Sequence, residues 1–331
     1  MASLVVSIAV FGVSLGALLV ASNVFTDAAE RLALSFGVSP FLIGATIVAG
    51  GTSLPELLSA MLAVVAGEPG IVLGIVVGSN VANIFLVIGL AAVATRSIRI
   101  ERELVRVDLP LLMASAAFLI VVAWDGVISA PEGALGLVGL AIYVHFTLST
   151  RERLDEVVEE LVAEHAEQAP AADAVQEVVD DAEEVTVGAR TYVALVASLA
   201  VLFVAADLFV GSILSISATL TVGTELIAMT AVAVGTSLPE IAVSVTAARR
   251  GSSELTVGNV LGSNVFNTFA VVGVPSLLNP LSVSANVRGF ALPVMVLATL
   301  LYYFVTQDRE ITRWEGVTFV VLYAVFVLNV A

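Results

Sequence analysis

Ten stretches of about twenty apolar residues, each long enough for a helix rising about 1.5 Å per residue to cross a bilayer, constrain this chain more than any other feature. They lie near 4–24, 41–66, 71–94, 107–124, 132–149, 190–211, 224–248, 255–278, 287–306 and 314–330. Hydrophobic residues make up 59% of 331 and the mean hydropathy is +1.06, against roughly 45–50% apolar usage in soluble domains, so a water-soluble fold is excluded. The expected fold class is an all-α integral membrane protein of ten transmembrane helices. The first stretch counts as a helix, because no basic residue precedes it and no small-residue cleavage site follows.

Ten spans with an outside N-terminus put twelve of the thirteen basic residues, all arginine, in inward loops. These are Arg31, then Arg96, Arg99, Arg102 and Arg106, then Arg151, Arg153 and Arg190, then Arg249 and Arg250, and finally Arg309 and Arg313. Only Arg288 falls outside. Short cytoplasmic loops gather positive charge, so this asymmetry predicts a multi-pass protein of the cell membrane with both termini outside.

Residues 150–189 interrupt the apolar pattern with thirteen acids and divide the chain into a first membrane repeat (1–149), an acidic cytoplasmic linker (150–189) and a second membrane repeat (190–331). Leu154, Val157, Val158, Leu161 and Val162 recur at helical spacing, which predicts that part of the linker is an amphipathic helix at the cytoplasmic surface, ended by Pro170. No calcium-loop pattern occurs there.

Sliding the sequence by 184 positions aligns the two halves without a gap, and 18 of the 41 pairs between 50 and 90 are identical. The identities include GTSLPE at 51–56 and 235–240, Gly67 with Gly251, Gly74 with Gly258, GSNV at 78–81 and 262–265, and Asn83 with Asn267. The copies lie five helices apart, an odd separation, so they cross in opposite senses: two inverted five-helix repeats. In transporters so built, the substrate sits near the midplane where the repeats meet.

Glu56 and Glu240 are the carboxylates placed well inside spans, where a charge costs on the order of 2.5–3.5 kcal/mol and marks function. Pro55 and Pro239 lack the amide hydrogen that would bond the carbonyls of Gly51 and Gly235, freeing carbonyl oxygens beside each acid. Thr52 and Ser53 stand four and three residues before Glu56, as do Thr236 and Ser237 before Glu240, so their hydroxyls can share a helical face with the acid. Ser79 with Asn83, and Ser263 with Asn267, are likewise spaced by four. Carboxylate, hydroxyl and amide oxygens together form the ligand set of hard cations such as Ca²⁺, Na⁺ and K⁺.

No arginine or lysine stands near the middle of a span, which disfavours anionic substrates. The chain has no cysteine, and His145 and His165 lie away from the motifs, so zinc, thiol chemistry and an intramembrane hydrolase are not expected. Neither an enzyme, nor a bound cofactor, nor a nucleic-acid partner is expected; the expected partners are hard cations from the set Ca²⁺, Na⁺ and K⁺ and the lipid bilayer, and a monomer is compatible with these features.

The two inverted GTSLPE…GSNxxN segments in ten helices split by an acidic loop resemble the alpha repeats of the cation/calcium exchanger superfamily, especially prokaryotic sodium/calcium exchangers. The resemblance implies that Glu56 and Glu240 coordinate Ca²⁺ and are shared with neighbouring Na⁺ sites, and that Thr52 and Thr236 contribute backbone oxygens. It also implies that Ser53, Ser79, Ser237, Ser263 and the carbonyls of Ala49 and Ala233 line flanking Na⁺ sites. The family commonly pairs one asparagine with one aspartate at its centre, whereas this chain has Asn83 and Asn267. Na⁺-driven Ca²⁺ antiport by alternating access, with the first and sixth helices moving past a rigid core, is the implied function. Ca²⁺/H⁺ antiport and K⁺-dependent Na⁺/Ca²⁺ exchange are the alternatives.

Overall fold

Hydrocarbon offers the backbone no water to bond, so an apolar segment that crosses it must satisfy its own amides by forming a helix. The computed structural model describes residues 2–35, 49–100, 108–165, 188–251 and 253–330, and most of these are helical. The helices are α1 (Ala2–Ser35), α2 (Ala49–Thr52), α3 (Leu54–Val65), α4 (Gly70–Thr95), α5 (Asp108–Val122) and α6 (Ala130–His165). They continue with α7 (Ala189–Leu220), α8 (Thr224–Thr236), α9 (Leu238–Arg249) and α10 (Ser253–Phe266, extended by Asn267–Val271 and Val272–Leu278). The last two are α11 (Val287–Thr306) and α12 (Arg313–Val330).

Among the described residues, six helices are long and apolar enough to cross a membrane singly, and α8 with α9, bent by 40° at their break, makes a seventh. Burial sorts them. The most apolar window of α4 is 94% buried and that of α10 is 83%, whereas α1 and α7 reach only 22% and 33%. So α4 and α10 form the centre of the molecule. At the periphery α1 and α7 pack lengthwise on each other, joined by Ser7 and Ser215 hydroxyls 2.6 Å apart and by Phe11 and Phe209 rings at 4.9 Å. Their outer faces present Val5, Val13, Val20, Val196, Val204 and Leu208, as a lipid-facing surface requires.

Small residues bring α4 close to α8. A Cβ at Gly74 would stand 2.8 Å from the Ala228 side chain, and one at Gly78 would stand 2.7 Å from Ala233 Cβ and from the Met229 carbonyl. Without a hydrophobic drive between helices in lipid, such backbone proximity is the main source of packing energy. Gly67 and Gly251, identical under the 184-residue shift, have φ of +84° and +79°; each closes the helix before it in the left-handed conformation that favours glycine.

The structure refines three expectations. The fold is not purely helical: β1 (Ser97–Arg99) pairs antiparallel with β4 (Glu310–Thr312), and β2 (Val127–Ile128) with β3 (Leu281–Ser282). These loop segments would otherwise leave backbone groups unpaired at the ends of packed helices. The first part of the acidic linker is helical, in line with its spacing, and continues the fifth apolar stretch without a break, Ala130–His165 being one helix; Pro170 lies outside the described residues. Finally, α7 runs to Leu220 rather than ending near 211, because its first break is Thr221 at φ +55° ahead of Gly223. Asp207 stands inside this helix, and both it and Asn23, its counterpart under the 184-residue shift, are exposed.

The ribbons carry the internal repeat into the structure. Moving every residue by 184 positions, forward in the first half and back in the second, turns the pair Ile98↔Ile311 into Ser282↔Val127, and Ser97↔Thr312 into Leu281↔Ile128. Both transformed pairs are present. The β1–β4 ribbon gathers Arg96, Arg99, Arg309 and Arg313, which the arginine count assigns to one side. Arg288, assigned to the other, donates to the Trp124 carbonyl at 3.1 Å beside the β2–β3 ribbon.

Candidate cation site

Both GTSLPE copies interrupt their helices at the serine. Ser53 separates α2 from α3 with φ −90° and ψ 7°, and Ser237 separates α8 from α9 with φ −81° and ψ 6°, in the sparsely used bridge region between helix and strand. Pro55 and Pro239 then occupy the first turn of the following helix, where a missing amide hydrogen does no harm. The carbonyl of Gly51 that Pro55 leaves without its helical donor accepts the Ser22 hydroxyl of α1 at 2.6 Å. The second repeat has Ala206 at the related position, so this cap exists in one half only. Ser22→Ala is expected to destabilise the protein by about 1–3 kcal/mol by orphaning a buried carbonyl. Comparing thermal unfolding in detergent with Ala206→Ser, which orphans nothing, measures it.

Glu56 and Glu240 are fully buried, as are Ser53, Ser79, Asn83, Thr236, Ser237, Ser263 and Asn267, and Thr52 is 4% exposed. The hydroxyls do not serve the acid of their own motif, as unbroken helical spacing would have them do. Ser53 donates to Glu240 Oε1 at 3.4 Å, and Thr52 lies beside the same carboxylate and 3.4 Å from the Ser263 hydroxyl. Thr236 in turn lies beside Glu56. The chain turns at each serine, so the hydroxyls before the break face across to the other repeat while the acid after it faces its own following helix. Ser79 donates to Glu56 Oε1 at 3.5 Å and Ser263 to Glu240 Oε1 at 3.4 Å. Each carboxylate is thus held by one serine of its own repeat and approached by a threonine of the other.

The asparagines come from π-helical turns, Ala82–Ile88 in α4 and Asn267–Val271 in α10, which widen the helix and recur at functional sites. The Asn83 amide nitrogen donates to Asn264 Oδ1 at 2.9 Å, and that of Asn267 to Asn80 Oδ1 at 3.2 Å. Among the described residues, Glu56 Oε2, Glu240 Oε2, Asn83 Oδ1, Asn267 Oδ1 and Ser237 Oγ are buried without a hydrogen-bond partner. Four of these five atoms can only accept. The two carboxylates are also close enough to repel each other. Buried acceptors and buried negative charge are costly alone, and a positive ion relieves both at once.

Ala233 is buried next to this group, and its carbonyl already accepts the Ser237 amide at 3.1 Å, so a cation would use the other lone pair. Ala49 opens α2; its side chain lies outside the described residues. His145 is exposed, and among the described residues no three His, Cys, Asp or Glu side chains cluster as a metal centre. Two contributors escape the spacing rules: Asn80 and Asn264, 3% and 1% exposed, which hold the central asparagines. The repeated GSNV run signals them, since it keeps an asparagine that is off the face shared by Ser79 and Asn83.

Known proteins share both the sequence pattern and this architecture. The profile of a family described as sodium/calcium exchanger protein matches residues 6–149 and 190–331. The sodium/calcium exchanger MaX1 of Methanosarcina acetivorans is 32% identical over 327 residues, 93% of each chain. The inner membrane protein YrbG of Escherichia coli is 28% identical over 291 residues, 88% of this chain and 85% of its own. A structure of the sodium-calcium exchanger NCX_Mj soaked with Na⁺ and Ca²⁺ superposes with a TM-score of 0.65 at 31% identity, covering 98% of both chains.

Proposed function

The chain belongs to the sodium/calcium exchanger protein family, and from that premise we propose that it exchanges Na⁺ for Ca²⁺ across the cell membrane by alternating access. The carrying observation is the pair of buried carboxylates, Glu56 and Glu240, approached by hydroxyls from opposite repeats and set among buried oxygens that lack donors. One Ca²⁺ neutralises both carboxylates, and Na⁺ ions can neutralise the same pair in its place, so occupancy by one cargo excludes the other. Thr52, Thr236, Ser53, Ser237, Ser79, Ser263, Asn83 and Asn267, with the carbonyls of Ala49 and Ala233, supply the neutral oxygens. Hard cations of this kind take about six to eight such ligands at roughly 2.3–2.6 Å in the case of Ca²⁺.

The architecture in this reading is ten crossings in two inverted five-helix repeats, 1–149 and 190–331, joined by the acidic segment 150–189, in a monomer with both termini outside. The exchange of ribbon partners under the 184-residue shift supports the inversion, because each repeat meets the other through equivalent residues. Since α1 and α7 are poorly buried and contribute to neither ribbon, they are the elements free to move and to open the site to each side in turn.

Two measurements test these statements. In proteoliposomes, an imposed Na⁺ gradient should drive Ca²⁺ uptake; uptake indifferent to that gradient but responsive to K⁺ or pH would replace the reading with K⁺-dependent or H⁺-coupled exchange. For orientation, the cysteine-free chain accepts single labels. In right-side-out vesicles Val127→Cys should react with an impermeant thiol reagent, and Arg99→Cys only after permeabilisation. The reverse pattern would invert the topology.

A further inference from the structure

An amide side chain offers oxygen at one edge and nitrogen at the other, and a half-turn about its terminal bond exchanges them. Asn83 and Asn267 therefore serve a cation only if something holds their nitrogens away from it. A carboxylate at either position would need no such control.

The hydrogen bonds supply that control in a chain that starts from the backbone, which cannot turn over. The Asn80 carbonyl accepts the Asn264 side-chain nitrogen at 3.3 Å. With its nitrogen so committed, Asn264 presents its oxygen, and this accepts the Asn83 nitrogen at 2.9 Å, leaving Asn83 Oδ1 among the unpaired oxygens of the site. The mirrored chain runs the other way. The Asn264 carbonyl accepts the Asn80 nitrogen at 3.4 Å, a nitrogen also bonded to the Thr268 hydroxyl at 3.0 Å, and Asn80 Oδ1 accepts the Asn267 nitrogen at 3.2 Å. Asn267 Oδ1 is likewise left unpaired and buried. None of the four side chains is more than 3% exposed, so water does not compete for these bonds.

We propose that Asn80 and Asn264 are positioning residues that orient the amides of Asn267 and Asn83, each across the repeat boundary, so that both oxygens face the transported cation. This inference rests on the site being a cation site, and it accounts for how that site works with two amides and no third carboxylate at its centre.

The test is a double-variant cycle read by Ca²⁺ binding to the purified protein. Asn264→Ala removes the acceptor that orients Asn83, and is expected to weaken Ca²⁺ binding by about tenfold, the scale of one lost hydrogen bond inside a protein. In an Asn83→Asp background both ends of the side chain are oxygen, so adding Asn264→Ala should weaken binding by less than about twofold. A merely structural role for Asn264 would give equal losses in the two backgrounds, and that result overturns the proposal. So does an unchanged affinity in Asn264→Ala alone. The mirrored cycle, Asn80→Ala with and without Asn267→Asp, serves if Asn264→Ala does not fold; failure of both single variants to fold would assign the ladder to helix packing and also overturn it. Absence of Ca²⁺ binding by the unaltered protein would overturn the function itself, a result distinct from equal losses in a protein that binds.

Discussion

Glu56→Gln and Glu240→Gln are each expected to lower Na⁺-driven Ca²⁺ uptake by at least about a hundredfold. Taking one partner from a buried charge interaction costs about 3–5 kcal/mol, and each step of about 1.4 kcal/mol is a factor of ten in affinity. Glutamine has nearly the shape of glutamate and can still accept from Ser79 or Ser263, so the packing around it survives. Removing one of two mutually repelling buried charges should leave the ion-free protein as stable as before, or more so. Uptake in proteoliposomes together with thermal unfolding in cation-free detergent checks both halves of the statement. Ca²⁺ uptake retained by both variants would refute a site shared between the repeats.

The second large effect concerns glycines that the sequence alone treats as equivalent. Gly74 and Gly258 are identical under the 184-residue shift, yet a Cβ at Gly74 would press on Ala228 and on the Glu225 carbonyl at 2.9 Å, whereas a Cβ at Gly258 meets nothing within 4 Å. Gly258→Ala should therefore be tolerated, or even stabilise α10 by up to about 1 kcal/mol through helix propensity. Gly74→Ala and, more severely, Gly78→Leu force α4 away from α8, where the opposing atoms include backbone that cannot rotate aside. Overpacking of this kind typically costs about 1–3 kcal/mol or more. Gly78 faces Ala233, three residues before Thr236, so Gly78→Leu should also displace the second half-site and abolish Ca²⁺ uptake in whatever fraction folds. Equal tolerance of alanine at 74 and 258 would contradict the close crossing of α4 and α8.

The motif glutamates, their hydroxyl neighbours and the repeat relation are legible directly from residue types. A carboxylate in an apolar span is too costly to persist without a role, and eighteen identities at one shift do not arise by chance. The exchange of Ser53 and Thr52 to the carboxylate of the other repeat is not legible in this way. Spacing rules assume an unbroken helix, and the turn at each serine redirects the residues before it. For a related reason α1, α6 and α7 outrun their apolar stretches: hydropathy marks where hydrocarbon ends, while a helix continues until a residue such as Thr221 stops it. Asn80 and Asn264 are neighbours of Ser79 and Ser263 in sequence but face the other side of the helix, and their role depends on a partner 184 positions away. Ser22 is similar, since only the folded chain brings α1 over the Gly51 carbonyl.

The two short ribbons also bear on the order in which the chain can be completed. β1 is finished early in synthesis, but its partner β4 lies more than two hundred residues downstream, and β2 must wait for β3. Until β3, which follows α10, and β4, which follows α11, have been made, the loops after α5 and α4 respectively expose unpaired backbone edges, and before α8 to α10 arrive the buried acceptors of the first half-site face an incomplete wall. The first repeat therefore cannot reach its final form as an independent unit during insertion; it matures when the second arrives. A chain stopped just short of β4 should be membrane-inserted yet readily digested by protease at residues 97–99, and synthesis through the last helix should abruptly protect that loop.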